Sequence, residues 1–232
     1  MMSNTLITGA NRGLGFEFAR QYLADGWQVY AAYRDPRSAS ELRCLADKSR
    51  GRLQVLRLDV TDVASVRAAA VELQGEPIDL LLNNAGIGGP WGQTIGNIDY
   101  ETWARVLDVN TLGPMRVAEV FVDNVEHSKR KLIVTVTSGM GSIGDNTSGG
   151  AFAYRSSKAA VNMVMRSLAI DLAPRGITCV VINPGWVQTD MGGQHARLTA
   201  ADSVAAMRHL IDKLGPTQSG KFFNYDGREF AW

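Results

Sequence analysis

The sequence LITGANRGLG, residues 6–15, decides the fold class. A short β-rich run is followed by glycines at positions 9, 13 and 15, and a helical pattern begins at residue 13. Gly9 permits a tight turn, while Gly13 and Gly15 leave room for the backbone to approach a ligand and the sheet. The free N–H groups at the start of the helix attract phosphate groups. The stretch therefore predicts a strand, a glycine loop and a helix that together bind a dinucleotide.

Along the rest of the chain, short β-rich runs alternate with longer helical patterns. The predicted strands are 6–8, 27–33, 53–58, 78–82, 131–136, 177–182 and 221–224, and the predicted helices are 13–25, 37–48, 62–73, 99–127, 155–172 and 199–214. Such alternation predicts one α/β domain over residues 1–232, a Rossmann fold whose doubly wound parallel sheet of about seven strands carries helices on both faces. Ligands bind such sheets at the carboxyl ends of the strands.

The composition is that of an ordinary globular protein. The 232 residues are 45% apolar and 20% charged, and their formal net charge is +1. A charge near zero without a basic stripe argues against nucleic acid as the main partner. Cys44 and Cys179 lie far apart, and the histidines at 127, 195 and 209 share no spacing with acidic residues. We therefore expect neither a disulfide framework nor a metal site.

Targeting and membrane segments are not expected either. The opening stretch MMSNTLITGA contains neither the charged part nor the apolar part of a secretory signal. No run approaches the roughly 20 apolar residues that a membrane span requires. We expect a cytoplasmic protein without a membrane partner.

Three further motifs follow predicted strands or begin a helix. Asn83-Asn84-Ala85-Gly86 follows the fourth strand, Tyr154-x-x-x-Lys158 begins the long helix, and Asn183-Pro184-Gly185 follows the sixth strand. Together with the glycine spacing of residues 8–15, these motifs strongly resemble the short-chain dehydrogenase/reductase family. The resemblance extends over nearly the whole chain. Within the family, the stretches YRSSKAA, PGWVQTDMGG and FFNYDGREFAW are most similar to the carbonyl reductases that include sniffer-like and C-factor-like proteins.

The resemblance implies an oxidoreductase with a nicotinamide cofactor. The cofactor contacts that it implies come from the glycine loop, the strand ends and the Tyr–Lys helix: Gly9, Asn11, Arg12, Gly13, Leu14, Arg34, Asp59, Val60, Asn84, Ala85, Gly86, Tyr154, Lys158, Pro184, Gly185, Val187 and Thr189. Asp59 would accept a hydrogen bond from the adenine, whereas Asp62 is better placed to cap the next helix. Asn84 could alternatively only brace the sheet.

The end of the second strand favours NADP(H) over NAD(H). An NAD site usually presents an acidic residue to the ribose 2′-OH at this position. Here Arg34 follows the strand, and Arg12 in the glycine loop points to the same region, so two guanidinium groups could bind a 2′-phosphate. In the alternative, Arg34 is solvated and Asp35 binds the ribose. We favour the first interpretation because Asp35 precedes Pro36 and should turn away.

Tyr154 and Lys158 are four residues apart, so both side chains lie on one face of their helix. An exposed tyrosine has a pKa near 10 and is a poor base at neutral pH. A nearby ammonium group, together with the positive charge of an oxidised nicotinamide, favours the phenolate, so we expect both to lower the pKa of Tyr154. The phenol would then serve as general acid toward a carbonyl oxygen or as general base toward an alcohol. Lys158 would also bind the nicotinamide ribose.

Two more catalytic residues follow from the resemblance. Ser138 ends the fifth strand and would polarise the carbonyl oxygen, although Ser142, closer in sequence to Tyr154, could compete. Asn110 would hold a water that links Lys158 to solvent. In a continuous helix, Pro114 has no N–H for the carbonyl of residue 110, which would leave that carbonyl free to bind the water. An ordinary proline kink is the alternative.

The substrate side offers less information. Residues 186–199 would form a short substrate loop, and Trp91 and Trp186 could line an open entrance for an aldehyde or ketone. Helix 155–172 is apolar on almost every side, which indicates burial against the sheet and against a second subunit in a homodimer or homotetramer. Two other functions remain open: a weakly catalytic NADP(H)-binding signalling or redox-sensor protein, and a sugar-nucleotide epimerase or dehydratase, for which the C-terminal region is short.

Overall fold

The computed structural model describes residues 2–232 and alternates strands with helices throughout. The strands are β1 Asn4–Ile7, β2 Gln28–Tyr33, β3 Leu53–Arg57, β4 Leu80–Asn83, β5 Leu132–Val136, β6 Thr178–Asn183 and β7 Phe222–Asn224. The α-helices are α1 Gly13–Ala24, α2 Ser40–Asp47, α3 Val63–Glu72, α4 Tyr100–Leu107, α5 Gly113–Glu126, α6 Phe152–Asp171 and α7 Ala200–Ile211. Apart from the predicted helix 99–127, the predicted elements are therefore present, with ends that differ by a few residues.

The strands form one parallel sheet in the order β3-β2-β1-β4-β5-β6-β7. The chain winds outward from β1 to β3 and then returns to place β4 beside β1. The direction of winding thus reverses between β1 and β4, where doubly wound sheets bind their ligands. The predicted Rossmann fold is confirmed.

The sheet separates two hydrophobic cores. Along β4, Leu81 contributes to the core beneath α3, α5 and α6, whereas Leu80 and Leu82 contribute to the core beneath α1, α2 and α7. All three leucines are fully buried. A strand that is covered on both faces needs apolar residues at every position, which explains the continuous apolar run in the sequence. None of the helices within residues 2–232 is long and apolar enough to cross a membrane.

The predicted helix 99–127 is wrong as a continuous element. The structure divides it into α4, a π-helical turn at Asp108–Leu112, and α5. The Gly113 N–H bonds to the carbonyl of Asp108, five residues back, and Pro114 stands in the first turn of α5. Proline is tolerated there because the first N–H groups of a helix have no partner within it. The π-turn surrounds Asn110, one of the predicted site residues.

Candidate active site

A cavity of about 600 Å³ opens at the carboxyl ends of the strands, beside the point where the winding reverses. The cavity brings together nearly all the predicted site residues: Gly9, Asn11, Arg12, Gly13, Leu14, Arg34, Asp59, Val60, Asn84, Ala85, Gly86, Ser138, Tyr154, Lys158, Pro184, Gly185, Val187 and Thr189. Asn110 does not line it. Apart from Asn110, the predicted site residues therefore lie together around one cavity, and their roles stay predictions.

The glycine loop lies against the end of β4. Gly9 has a left-handed backbone with φ +63°, and a Cβ there would lie 2.9 Å from the Cα of Ala85. A Cβ on Gly15 would lie 2.2 Å from the carbonyl oxygen of Gly9. Neither position has space for a side chain, as the sequence indicated. Gly13 is different, because its nearest neighbour would be Thr189 at 3.5 Å.

Thr8 and Asn84 join the two strand ends that form this part of the cavity. The Thr8 hydroxyl accepts hydrogen bonds from the N–H groups of Asn84 and Ala85, both at 3.0 Å. The Asn84 amide donates in return to the carbonyl oxygens of Thr8 at 3.0 Å and Gly9 at 3.1 Å. The Asn84 side chain therefore braces the glycine loop. Sequence reasoning missed Thr8 as a functional residue, although it begins the glycine motif.

The two charged residues directly after β2 differ in whether their side chains have a charged partner. Arg34 is exposed and forms no ion pair within residues 2–232. The carboxylate of Asp35 accepts hydrogen bonds from the N–H of Arg37 at 3.0 Å and from its guanidinium at 2.9 Å. These bonds lower the pKa of Asp35. Its carboxylate is thus engaged by Arg37, which disfavours the interpretation that Asp35 binds a ribose.

Arg12 has a partner that the sequence did not predict. Its guanidinium forms an ion pair with Asp190, with 2.5 Å between Nη1 and Oδ2. Farther along the cavity, Asp59 accepts hydrogen bonds from the N–H and hydroxyl of Thr61 at 3.0 and 2.8 Å. Asp62 caps α3 by accepting from the N–H of Ala64. Asp59 is therefore not the helix cap, in agreement with the sequence analysis.

Tyr154 and Lys158 occupy the first two turns of α6, and both are almost completely buried. The Lys158 ammonium lies 5.8 Å from the centre of the Tyr154 ring and donates a hydrogen bond to the Val136 carbonyl at 3.0 Å. Burial lowers the pKa of Lys158 to about 8. Lys158 therefore remains mainly protonated at neutral pH.

The expected decrease in the pKa of Tyr154 is wrong for the protein without its cofactor. Burial raises the pKa of Tyr154, and hydrogen bonding with Ser138 opposes the increase only in part. The reason is that desolvation penalises the phenolate more than the hydroxyl of Ser138 stabilises it. Tyr154 is consequently a phenol, and a proton donor, at neutral pH.

The two candidate serines lie in different surroundings. Ser138 lines the cavity at the end of β5, where its hydroxyl accepts a hydrogen bond from the Met140 N–H at 3.1 Å. The hydroxyl of Ser142 instead donates to the main-chain oxygen of Trp232 at 3.2 Å and accepts from the Asp145 N–H at 3.1 Å. Ser142 is buried and does not line the cavity. Of the two, Ser138 is the one beside Tyr154.

Asn110 lies behind the cavity wall. Its side-chain oxygen accepts from the Ile87 N–H, and its amide donates to the Ile87 carbonyl, both at 2.9 Å. The amide also donates to the Ser157 hydroxyl at 3.0 Å. A Cβ added to Gly86 would lie 3.3 Å from the Asn110 side-chain oxygen and 3.7 Å from the Lys158 ammonium. Asn110 thus joins the loop after β4 to α6, and its water-binding role stays a prediction.

The substrate side of the cavity is apolar and partly open. The ring centre of Trp91 lies 5.6 Å from that of Tyr154, and the Trp91 and Trp186 side chains are more than half exposed. Ile87, Met140 and Met191 also line the cavity, and sequence reasoning missed all three. They stand in loops without periodicity, so no local pattern indicated which way they face. No cluster of three metal-ligating side chains exists within residues 2–232.

The segment between β6 and α7 closes on itself. The Gln188 N–H bonds to the Leu198 carbonyl at 2.8 Å, and the Leu198 N–H bonds to the Trp186 carbonyl at 3.1 Å. The turn at Thr189–Gly193 projects from this base toward the glycine loop. The segment 186–199 predicted as a substrate loop is therefore a compact lobe over one side of the cavity.

Comparisons with known proteins agree with this geometry. The family model described as short chain dehydrogenase matches residues 3–198. The C-signal of Myxococcus xanthus is 47% identical over 167 residues, which are 72% of this chain and all of that protein. The carbonyl reductase Sniffer of D. melanogaster superposes over 100% of both chains with a TM-score of 0.93 and 33% identity. An NADPH-bound carbonyl reductase from chicken fatty liver superposes over 100% of this chain and 99% of that chain with a TM-score of 0.93 and 36% identity.

Proposed function

The chain belongs to the short-chain dehydrogenase family of oxidoreductases, and we propose on this basis that it reduces aldehydes or ketones with NADPH. The observation that carries the proposal is the arrangement of Ser138, Tyr154 and Lys158 at one end of a cavity whose other end is the glycine loop. The two similar solved structures are carbonyl reductases, and one of them binds NADPH. A small-molecule aldehyde or ketone is the expected substrate.

The residues of the cavity fit a dinucleotide. The start of α1 has no side-chain cap, so its N–H groups are free to bind the pyrophosphate. Gly13 leaves open space in front of this helix end, where a larger residue would narrow the site. Arg34, without an ion pair within the described residues, would bind the 2′-phosphate, whereas Asp35 is engaged by Arg37. These features support NADP(H) rather than NAD(H).

When bound, the cofactor supplies a hydride to the carbonyl carbon. Tyr154 holds the proton that the carbonyl oxygen needs, because burial keeps its hydroxyl protonated at neutral pH. Ser138 orients the same oxygen by hydrogen bonding. Lys158 then stabilises the negative charge that develops on Tyr154 as its proton leaves, and this stabilisation is strengthened because both side chains are almost completely buried. Asn110 would hold the water that returns a proton to the site.

The test measures NADPH oxidation with a panel of aldehydes, ketones and quinones, for the wild type and Tyr154→Phe. We expect Tyr154→Phe to bind NADPH as the wild type does and to lose about 10²- to 10⁴-fold in turnover, since the general acid is removed. Tyr100→Phe is the matched control, because Tyr100 is 73% exposed and does not line the cavity. Equal turnover by Tyr154→Phe and the wild type would exclude the assigned proton donor.

A second candidate is a signalling or redox-sensor protein of the same fold with little catalysis. The 47% identity to a protein named C-signal favours it. The complete Ser138–Tyr154–Lys158 set argues against it, since a sensor needs only the cofactor end of the cavity. Tight NADPH binding without turnover of any carbonyl in the panel would favour this candidate.

We also propose that the chain forms a homodimer or homotetramer through α6. Met163 and Ile170 project from the outer face of this helix and are 67% and 62% exposed. Exposed apolar side chains of this size on one face of a helix favour a second subunit as their cover. Light scattering of the wild type and Met163→Glu tests this, with a smaller particle expected for the variant.

A further inference from the structure

Arg12 and Asp190 form an ion pair across the mouth of the cavity. Arg12 precedes α1 in the glycine loop, while Asp190 stands in the lobe between β6 and α7, and 2.5 Å separates Nη1 from Oδ2. Both residues line the cavity, and their side chains are 68% and 77% exposed. The pair therefore connects the glycine loop with the lobe between β6 and α7.

The lobe holds Asp190 in this position. The Gly192 N–H donates to the Thr189 hydroxyl at 3.2 Å, and the Gly193 N–H donates to the Thr189 carbonyl at 2.9 Å. The turn is tight, because a Cβ on Gly192 would lie 2.0 Å from the Val187 carbonyl oxygen. Asp190 lies within this turn, which holds its backbone so that its carboxylate reaches Arg12 in the glycine loop.

The ion pair leaves the two arginines at this end of the cavity in different states. Arg34 has no carboxylate partner within the described residues, whereas Arg12 is engaged by Asp190. A carboxylate and a phosphate offer a guanidinium the same kind of charge-assisted hydrogen bond, so they are alternative acceptors. A carboxylate of the same chain that already binds Arg12 therefore lowers the binding free energy that a phosphate group can obtain from this guanidinium.

We infer that Asp190 competes with the 2′-phosphate of NADP(H) for Arg12 and thereby limits the preference for NADP(H) over NAD(H). The inference rests on the proposed use of NADP(H). Asp190 is thus a specificity-determining residue that acts against the phosphate. NAD(H) has a hydroxyl at this position and does not need Arg12, so the competition leaves its affinity unchanged.

The expected effect is modest, because exposed ion pairs contribute little in water. Removal of the competing carboxylate in Asp190→Asn should lower the NADPH dissociation constant about two- to fivefold and leave that of NADH unchanged. The gain should decrease at high salt, where the attraction between exposed charges is screened.

The experiment is a calorimetric titration of NADPH and NADH into wild type, Asp190→Asn, Arg12→Ala and the double variant. In the Arg12→Ala background, Asp190→Asn should no longer change NADPH affinity, since the guanidinium for which Asp190 and the 2′-phosphate compete is absent. Asp47→Asn is the control for net charge. Asp47 is exposed at the C-terminal end of α2, at the opposite edge of the sheet.

The outcomes separate the inference from the proposed function. Weaker binding of both dinucleotides by Asp190→Asn would overturn the inference and would indicate instead that the Arg12–Asp190 ion pair holds the bound pyrophosphate in place. An unchanged NADPH affinity, or an equal gain in the Arg12→Ala background, would also overturn it, while NADPH binding by the wild type would still support the proposed function. If the wild type binds neither dinucleotide, the proposed function fails and the inference fails with it.

Discussion

The two ends of the cavity are held in different ways. At the cofactor end, the Thr8 hydroxyl and the Asn84 amide bond to main-chain atoms of the neighbouring strand end, and two glycines fill positions where no side chain fits. At the substrate end, the partly exposed segments 139–151 and 186–199 are held by main-chain hydrogen bonds within their own turns and by a few side chains. A position without room for a Cβ tolerates few residue types, whereas residues in surface loops can be exchanged without changing the fold. We infer that the first end fixes the cofactor and the second end sets the substrate.

The largest effect should come from a side chain placed in the rigid end. In Gly15→Ala the new Cβ would lie 2.2 Å from the carbonyl oxygen of Gly9, so the glycine loop must move away from β4. We expect about 3 kcal/mol of lost stability and no measurable NADPH binding. Gly215→Ala is the control, since a Cβ there would meet nothing closer than 3.8 Å and the backbone is not left-handed. Thermal unfolding and calorimetric titration measure both quantities, and wild-type binding by Gly15→Ala would show that the loop adapts.

A smaller change at the same end removes only the hydrogen bonds of Thr8. Thr8→Val keeps the shape of the side chain but leaves the N–H groups of Asn84 and Ala85 without their acceptor. Unpaired N–H groups in a partly buried site should cost about 2 kcal/mol. Because these groups position the loop, we also expect weaker binding of NADPH and NADH alike. Thr5→Val is the comparison, since the Thr5 hydroxyl bonds only to the Leu80 carbonyl, at the other end of β4. A selective loss of NADPH binding would contradict the role given to Thr8.

Lys158 stands between the two ends and shows the cost of a functional group in a buried position. Lys158→Met should abolish carbonyl reduction and yet stabilise the fold at neutral pH by about 1–2 kcal/mol, because the variant no longer buries an ammonium group. The hydrogen bond to the Val136 carbonyl offsets part of this gain.

The stability difference should depend on pH in a definite direction. Burial lowers the pKa of Lys158 in the folded chain to about 8, from an ordinary value of 10.5. Between these values the unfolded chain binds more protons than the folded chain, so wild-type stability rises with pH relative to Lys158→Met. Urea unfolding of both proteins at pH 7 and pH 10 measures this. A stability difference between the two proteins that is the same at pH 7 and pH 10 would contradict the free-energy cost that we assign to burying the Lys158 ammonium.

The contrast between the two ends also explains what the sequence could predict. Alternating patterns and the glycine spacing indicated the sheet, the cavity and its cofactor end, since backbone geometry restricts those positions to few residue types. The direction of the Tyr154 pKa was wrong because burial depends on the assembled fold and not on the spacing to Lys158. The pair of Arg12 with Asp190 joins residues that are 178 positions apart, and no local pattern indicated it. The loop residues Ile87, Met140 and Met191 were missed for the same reason.

The smallest effect should come from loosening the substrate end. Arg155, next to Tyr154, donates hydrogen bonds to the carbonyl oxygens of Gly149 at 3.1 Å and Met140 at 3.5 Å, and to the Ser148 hydroxyl at 2.8 Å. These bonds restrain a loop whose last residues, Gly149 to Ala151, all have left-handed backbones. In Arg155→Ala the loop should move more freely and Met140 should contact substrate less often.

Arg155→Ala should therefore raise KM about threefold with kcat changed less than twofold, and Arg155→Lys should lie between it and the wild type. The reason for the split is that Tyr154 and Lys158 are held by α6, while Ser138 follows β5 directly and its hydroxyl bonds to the loop only through the Met140 N–H. Arg67→Ala on the exposed face of α3 controls for the lost charge. Steady-state kinetics with one carbonyl substrate measure KM and kcat for all these variants and test the prediction. A fall in kcat at constant KM would mean that the loop positions the proton donor, and the division between a rigid cofactor end and an adaptable substrate end would then not extend to catalysis.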